Sequence, residues 1–221
     1  MNSTDSLSKL WPIPWIDSLP EAFRLARDIL LAALGLLLLW PLFLLVSLAI
    51  YIDSPGPVLF RQTRLGRGGR PFTLLKFRSM RLDASDLLDS LLATDPQLRR
   101  TWERDQKLWN DPRCTRLGAF LRRSSLDELP QLWNILRGEM SLVGPRPILP
   151  AQRAQYGVLF GRYASLRPGL TGLWQVMGRN NLSFAGRIFL DQVYISQRSL
   201  VLDACILLRT VWVVLSRQGA Y

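Results

Sequence analysis

Residues 29–52 are almost wholly apolar, and no other stretch constrains the fold as strongly. As a helix this run is long enough to cross about 30 Å of hydrocarbon. It is too long for a secretory signal peptide and lacks a convincing small-residue cleavage site. Two features bear on how it meets a bilayer. Pro41 lies in its middle, where the ring deletes a backbone donor and crowds the preceding turn, so a bend is expected. Arginines flank both ends, Arg24 and Arg27 before and Arg61, Arg64, Arg67 and Arg70 after, so both flanks favour the cytoplasmic face. The residues alone leave a spanning and a re-entrant helix open. Upstream, Trp11-Pro12-Ile13-Pro14-Trp15 suits the headgroup zone, although a flexible tail with incidental aromatics fits as well.

Charge narrows the partners. Lys plus Arg number 28 against 17 Asp plus Glu in 221 residues, a formal balance of +11. Nearly all of the positive charge is arginine; the lysines are Lys9, Lys76 and Lys107. Arginine's planar fork grips phosphate with two bonds, so nucleic acid, anionic lipid and phosphorylated small molecules all fit such a surface. The chain has no histidine, so catalysis falls to carboxylates, cysteine, hydroxyls or a metal. Cys114 and Cys205 lie far apart, outside any CxxC spacing, and read as free thiols rather than a zinc site.

Beyond the turn Asp53-Ser54-Pro55-Gly56-Pro57, residues 58–64 and 72–78 flank Gly66-Arg67-Gly68-Gly69 as a β-hairpin. Alternation sets Lys76 and Arg78 on one face of its second strand. Residues 84–109 form a charged helical excursion broken near Asp95-Pro96, and further helices are expected over 117–121, 131–137, 183–194 and 203–217. In the last, Ile206, Leu207, Thr210, Val211, Val214 and Leu215 make an apolar stripe suited to the membrane interface or to the protein's own core.

Asp127 and Glu128 are adjacent carboxylates, preceded by Arg122-Arg123 and followed by Gly144-Pro145-Arg146-Pro147. Ser125-Leu126-Asp127-Glu128 has a capping-box pattern, which would make the acids structural. Pro130 would then fall inside the second turn, where it is not tolerated. A helix starting nearer Pro130 leaves both acids in the approach to its N-terminus. Arg146, locked between two prolines, is aimed in advance. Carboxylates among arginines suit attack on a phosphorus centre.

Pro71-Phe72 with Lys76-Phe77-Arg78-Ser79-Met80, the Ser125–Gln131 motif, residues 140–147 and Arg167-Pro168-Gly169-Leu170-Thr171-Gly172 occur in one order. Together they closely resemble the bacterial monotopic phosphoglycosyl transferases, over about residues 23–221. The resemblance implies an α+β, mainly helical fold: a tail over 1–20, a re-entrant membrane helix over 21–53 broken at Pro41, and a cytoplasmic catalytic domain over 54–221 with a β-hairpin and interfacial amphipathic helices. Family members move a phosphosugar from a UDP-sugar to a polyprenyl phosphate such as undecaprenyl phosphate, release UMP and require Mg²⁺. Asp127 matches the nucleophile that forms a covalent phosphosugar intermediate and Glu128 its partner, and both are expected at the metal. Arg122 and Arg146 match arginines around the phosphates and Lys76 a basic residue of the site; Arg78, Arg167 and Arg179 complete the expected phosphate and nucleotide set. Trp40 departs from the serine that often precedes the proline, removing a hydroxyl that could bond a freed carbonyl. The ending Gly219-Ala220-Tyr221 and residues 92–96 point to the hexose-1-phosphate branch, with galactose or glucose, at the first membrane step of exopolysaccharide, capsule or O-antigen synthesis. The expected setting is the bacterial inner membrane with the site facing the cytoplasm, no nucleic-acid partner, and homodimerisation open. Two alternatives stand: a membrane glycosyltransferase releasing UDP, and a basic membrane-tethered binding protein.

Overall fold

The computed structural model describes residues 20–105, 108, 111–178 and 182–216. The tryptophan–proline tail, Trp109 and Arg179 lie outside them. Helix α1 (Glu21–Asp53) carries the apolar run, and Pro41 sits inside it without interrupting the helical segment. The break expected there is therefore not a gap in the helix. Proline removes one donor and strains one carbonyl, and a continuous helix can absorb that as a bend.

One face of α1 is docked along its whole length. Arg24, Asp28, Ala32, Val46 and Ile50 are buried, and between them Gly35 faces Leu132 while the Phe43 ring meets Phe77 at 5.3 Å. The other face stays apolar and open: Leu30, Leu34, Leu37, Leu38, Trp40, Leu44, Leu45, Leu48 and Ile52 are each about half exposed or more. A core helix of a water-soluble protein would be mostly covered, yet only 11% of the most apolar window is buried. Such a surface suits lipid, not water.

Strands β1 (Leu59–Leu65) and β2 (Pro71–Phe77) form the expected antiparallel hairpin. Gly68 and Gly69 turn it at φ of 69° and 71°, a left-handed region that a side chain would strain. The register pairs Phe60 with Lys76, Gln62 with Leu74 and Arg64 with Phe72. Directly opposed residues share a face, so Gln62, Arg64, Leu74 and Lys76 point to one side. The charged excursion is two helices, α2 (Ala84–Thr94) and α3 (Pro96–Asp105). Asp95 separates them, its Oδ1 accepting the N–H groups of Gln97 and Leu98 at 2.8 and 3.0 Å.

Helices α4 (Arg116–Arg123) and α5 (Gln131–Leu136) bracket the carboxylate pair. Two three-residue strands that the sequence did not announce, β3 (Ser141–Val143) and β4 (Gly169–Thr171), pair in parallel. The short helices α6 (Arg153–Tyr156), α7 (Phe160–Ala164) and α8 (Leu173–Met177) lead to α9 (Phe184–Gln197) and α10 (Leu200–Ser216). The main core gathers Ile135, Met140, Trp174, Tyr194 and Ile206, and Ala32 of α1 belongs to it. Helix α10 divides the two roles its stripe suggested: Ile206 and Val213 face inward while Leu208, Val211, Trp212 and Leu215 are exposed. The fold is thus mostly helical with little sheet, and one long apolar helix that is also a wall of the core.

Candidate active site

Thr115 caps α4, its Oγ1 accepting the Gly118 N–H at 2.9 Å. Gly118 lies so close to the end of the hairpin that a Cβ there would meet the Ser79 carbonyl oxygen at 1.9 Å. That contact seats the helix, and one turn on Arg122 donates from Nε to Ser79 Oγ at 2.9 Å. After α4 the chain turns at Ser125, φ 58°, the one non-glycine residue with positive φ among the described residues. Strain of this kind persists where the surroundings enforce it, often beside functional groups. Leu126–Glu128 then make one 3-10 turn, and Pro130 precedes α5. Ser125 makes no side-chain cap, so the capping-box reading fails and the acids stand in the approach to the helix.

Asp127 is only 7% exposed. Burial pushes its carboxyl above the usual carboxylate range; Lys76, Arg122 and Arg146 pull it back down, and Glu128 adds to the rise. Lys76 Nζ lies 2.5 Å from Glu128 Oε1 and 4.0 Å from Asp127 Oδ2. Lysine, both acids, Arg122 and Arg146 therefore act on one spot. Beside it opens a narrow cleft lined by Arg64, Lys76, Glu128, Gln131, Arg146 and Gln175, among others. A roomier hollow of about 550 Å³ between residues 150 and 161 has one charged lining residue, Arg153, and none of this chemistry.

The turn bearing Arg146 is tied on both sides of that residue. Gly144 N–H reaches Thr171 O at 3.0 Å, and Pro145 O takes the Gly169 N–H at 2.8 Å. The Arg146 backbone lies beside the Asp191 carboxyl, Arg64 Nη1 donates to Pro147 O at 3.0 Å, and Ile148 N–H donates to the Tyr163 hydroxyl at 3.2 Å. A Cβ on Gly144 would come within 2.6 Å of Arg167 O, so the close approach of β3 and β4 requires glycine here. Asp191 is 1% exposed and also accepts the Tyr156 hydroxyl at 3.1 Å. Burial pushes its carboxyl up to about 8. The Arg146 guanidinium rests 5.4 Å from the Trp174 ring centre and makes no ion pair among the described residues.

The remaining expected site residues divide. Arg78 points away, donating to the Ser54 carbonyl at the end of α1. Arg167 is not brought to the pair: it donates to Gly138 O and to Glu21 Oε1, both at 2.9 Å. Arg179 lies outside the described residues. Sequence reasoning passed over Arg64, Ser79, Trp174 and Asp191. Hairpin register was the available signal for Arg64 and the Lys76–Met80 motif the one for Ser79, whereas nothing local marks Trp174 or Asp191. Among the described residues no three acidic, histidine or cysteine side chains converge; the adjacent carboxylates Asp127 and Glu128 are a pair that could hold a metal. That fits Mg²⁺, which commonly takes one or two carboxylates and completes its shell with water and substrate phosphate.

Residues 19–217 match the family described as bacterial sugar transferase. The chain is 47% identical over 193 residues to the UDP-galactose-lipid carrier transferase of Erwinia amylovora, covering 87% of this chain and 40% of that protein. It is 44% identical over 194 residues to the undecaprenyl-phosphate galactose phosphotransferase of Salmonella typhimurium, covering 88% and 40%. With the UDP-glucose:undecaprenyl-phosphate glucose-1-phosphate transferase of Caulobacter vibrioides it shares 45% over 204 residues, covering 88% and 70%. The chain thus spans about two fifths of the length of the first two relatives.

Proposed function

The chain belongs to the bacterial sugar transferase family, and from that premise we propose that it transfers a hexose 1-phosphate from a UDP-sugar to undecaprenyl phosphate, releasing UMP. The observation that carries this reading is Asp127, buried among Lys76, Arg122 and Arg146. A carboxylate needs no base to be nucleophilic. Arginines held by Ser79 Oγ and by the tied turn are ready to neutralise a pyrophosphate without reorganising.

In the first displacement an Asp127 carboxylate oxygen attacks the sugar-side phosphorus and forms an acyl-phosphate bond. The bond from that phosphorus to the bridging oxygen breaks, and UMP leaves with the electron pair. In the second, a phosphate oxygen of the lipid attacks the same phosphorus; the Asp–phosphorus bond breaks and the free carboxylate returns. Lys76, paired with Glu128, shields Asp127 from its neighbour's charge. Asp127 and Glu128 would hold Mg²⁺, which offsets pyrophosphate charge when bound. Galactose and glucose are the favoured sugars, from the names of the relatives.

Docking supports entry and exit of α1 at one membrane face. Its first turns meet Asp203 through Arg24, and its last meet Phe77 and Leu121 through Ile50. A spanning helix would leave the domain behind. The site would then lie at the headgroups of the cytoplasmic leaflet, where the acceptor phosphate is.

Incubating the protein in detergent with undecaprenyl phosphate, Mg²⁺ and a panel of UDP-sugars tests this. UMP and a lipid-linked hexose phosphate are expected, with UDP-galactose or UDP-glucose as donor. Release of UDP would overturn the reading in favour of simple glycosyl transfer.

A further inference from the structure

We propose that Arg64 and Arg146 form a two-arginine clamp for the phosphate that stays with the departing nucleotide, at the end of the cleft away from Asp127. The proposal rests on the transfer chemistry proposed above and adds to it a residue and a direction along the cleft.

Arg64 stands on β1 directly opposite Phe72, on the same face of the hairpin as Lys76. Two neighbours hold it: Nη2 donates to Gln62 Oε1 at 2.6 Å and Nη1 to Pro147 O at 3.0 Å. The rest of its five N–H donors have no protein partner among the described residues, and Nε is buried without one. The guanidinium is therefore fixed, desolvated and unspent.

Its close charged neighbour is another arginine. Burial and then Arg146 draw the Arg64 guanidinium down to about 10, against a weaker opposing pull from Glu128. Neither arginine has an ion pair among the described residues. Glu128, the carboxylate that acts on Arg64, is already on Lys76 at 2.5 Å, and Asp127 and Asp191 act on Arg146 without pairing with it. Two like charges pressed together and left uncompensated are costly unless an anion joins them. Both line one cleft, and Arg64 bonds the carbonyl of Pro147, the residue after Arg146, so their forked donors suit the oxygens of one phosphate.

The hairpin gives the order along the cleft. Lys76, which reaches Asp127 at 4.0 Å, pairs with Phe60, and Arg64 pairs with Phe72, four residues away along β2. Arg146 lines the same cleft, next to the Pro147 carbonyl that Arg64 holds. A diphosphate laid along this line puts the phosphorus to be attacked by Asp127, Lys76 and Arg122. Its second phosphate falls between Arg146 and Arg64. That phosphate leaves with the nucleoside, so the clamp also steadies the leaving group.

The test is calorimetric binding of UMP and of uridine to the full chain in detergent, for wild type, Arg64→Gln, Arg146→Gln and the double variant, with thermal unfolding checked for each. Arg64→Gln is expected to weaken UMP about tenfold and leave uridine unchanged. In the Arg146→Gln background, Arg64→Gln should weaken UMP further. If the effect disappears in that background, Arg64 acts only by holding Pro147, and the clamp is refuted. Unchanged UMP affinity in Arg64→Gln, an equal loss for uridine, or no UMP binding by the wild type refutes it too. UDP release by the wild type would instead sink the transfer reading, while the contrast of UMP with uridine still judges the clamp.

Discussion

The protein holds two clusters of arginine and carboxylate, and they are built oppositely. Where α1 meets α10, Arg24 and Arg27 both reach Asp203, at 2.9 and 3.1 Å. Arg27 also holds Asp28, whose other oxygen takes the Ser141 hydroxyl. Beside them Glu21 takes Arg167 and Arg198 at 2.9 and 2.8 Å. Each arginine there has its carboxylate. In the cleft, Lys76 alone is matched, while Arg64, Arg122 and Arg146 have no ion pair among the described residues. The same residue types lock a membrane helix in one place and wait for an anion in the other. Composition cannot separate these roles; pairing can.

The sharpest way to break this contrast is at Asp127. Asp127→Asn should lower hexose-phosphate transfer at least about a thousandfold while thermal unfolding and membrane association stay near wild type. Transfer at wild-type rate, with UMP released on schedule, would mean the surplus cations serve some other chemistry. In the lock, Asp203→Ala removes the buried carboxylate that Arg24, Arg27 and the Tyr194 hydroxyl share and should cost about 3–5 kcal/mol in denaturant unfolding. The folded fraction should keep its UMP affinity; a selective loss of UMP binding would erase the distinction between the clusters.

Arg167 is the finer probe, because its motif pointed to the site and its contacts point away. Arg167→Gln should lower stability by about 1 kcal/mol and leave the KM for the donor unchanged. A raised KM at unchanged stability would return Arg167 to the phosphates. The smallest effect is expected at Asp191. Its folded-state carboxyl is raised to about 8, so its contribution to stability is full below the unfolded value of about 3.9 and fades as pH rises through about 8. Asp191→Asn still accepts from the Tyr156 hydroxyl but cannot ionise. Its melting temperature should gain on wild type between pH 5 and 8; parallel curves would count against the buried acid.

What could be read in advance follows from how local each signal is. The hairpin, the helices and the break at Asp95 are written in alternation, caps and turns a few residues long. Asp127, Glu128, Lys76, Arg122 and Arg146 sit in motifs, and the structure brings them to one place. Arg78 and Arg167 sit in motifs too, but their guanidiniums are diverted by Ser54 and Glu21, partners 24 and 146 residues away. Asp191 lies beside the Arg146 backbone from α9, and β3 pairs with β4 across the 25 residues between Val143 and Gly169, distances that no local periodicity encodes.

Helix α1 finally makes anchor and scaffold inseparable. Ala32 is wholly enclosed in the main core, with Leu36 and Leu39 packed against it, and Val46 and Ile50 wall in Phe77 and Leu121. Excising 21–53 to obtain a detergent-free fragment would strip the interior of one side and leave Asp203 and Ser141 without their counterparts. Solubility cannot be engineered by trimming: whatever fluid surrounds this helix becomes part of the medium in which the catalyst is assembled.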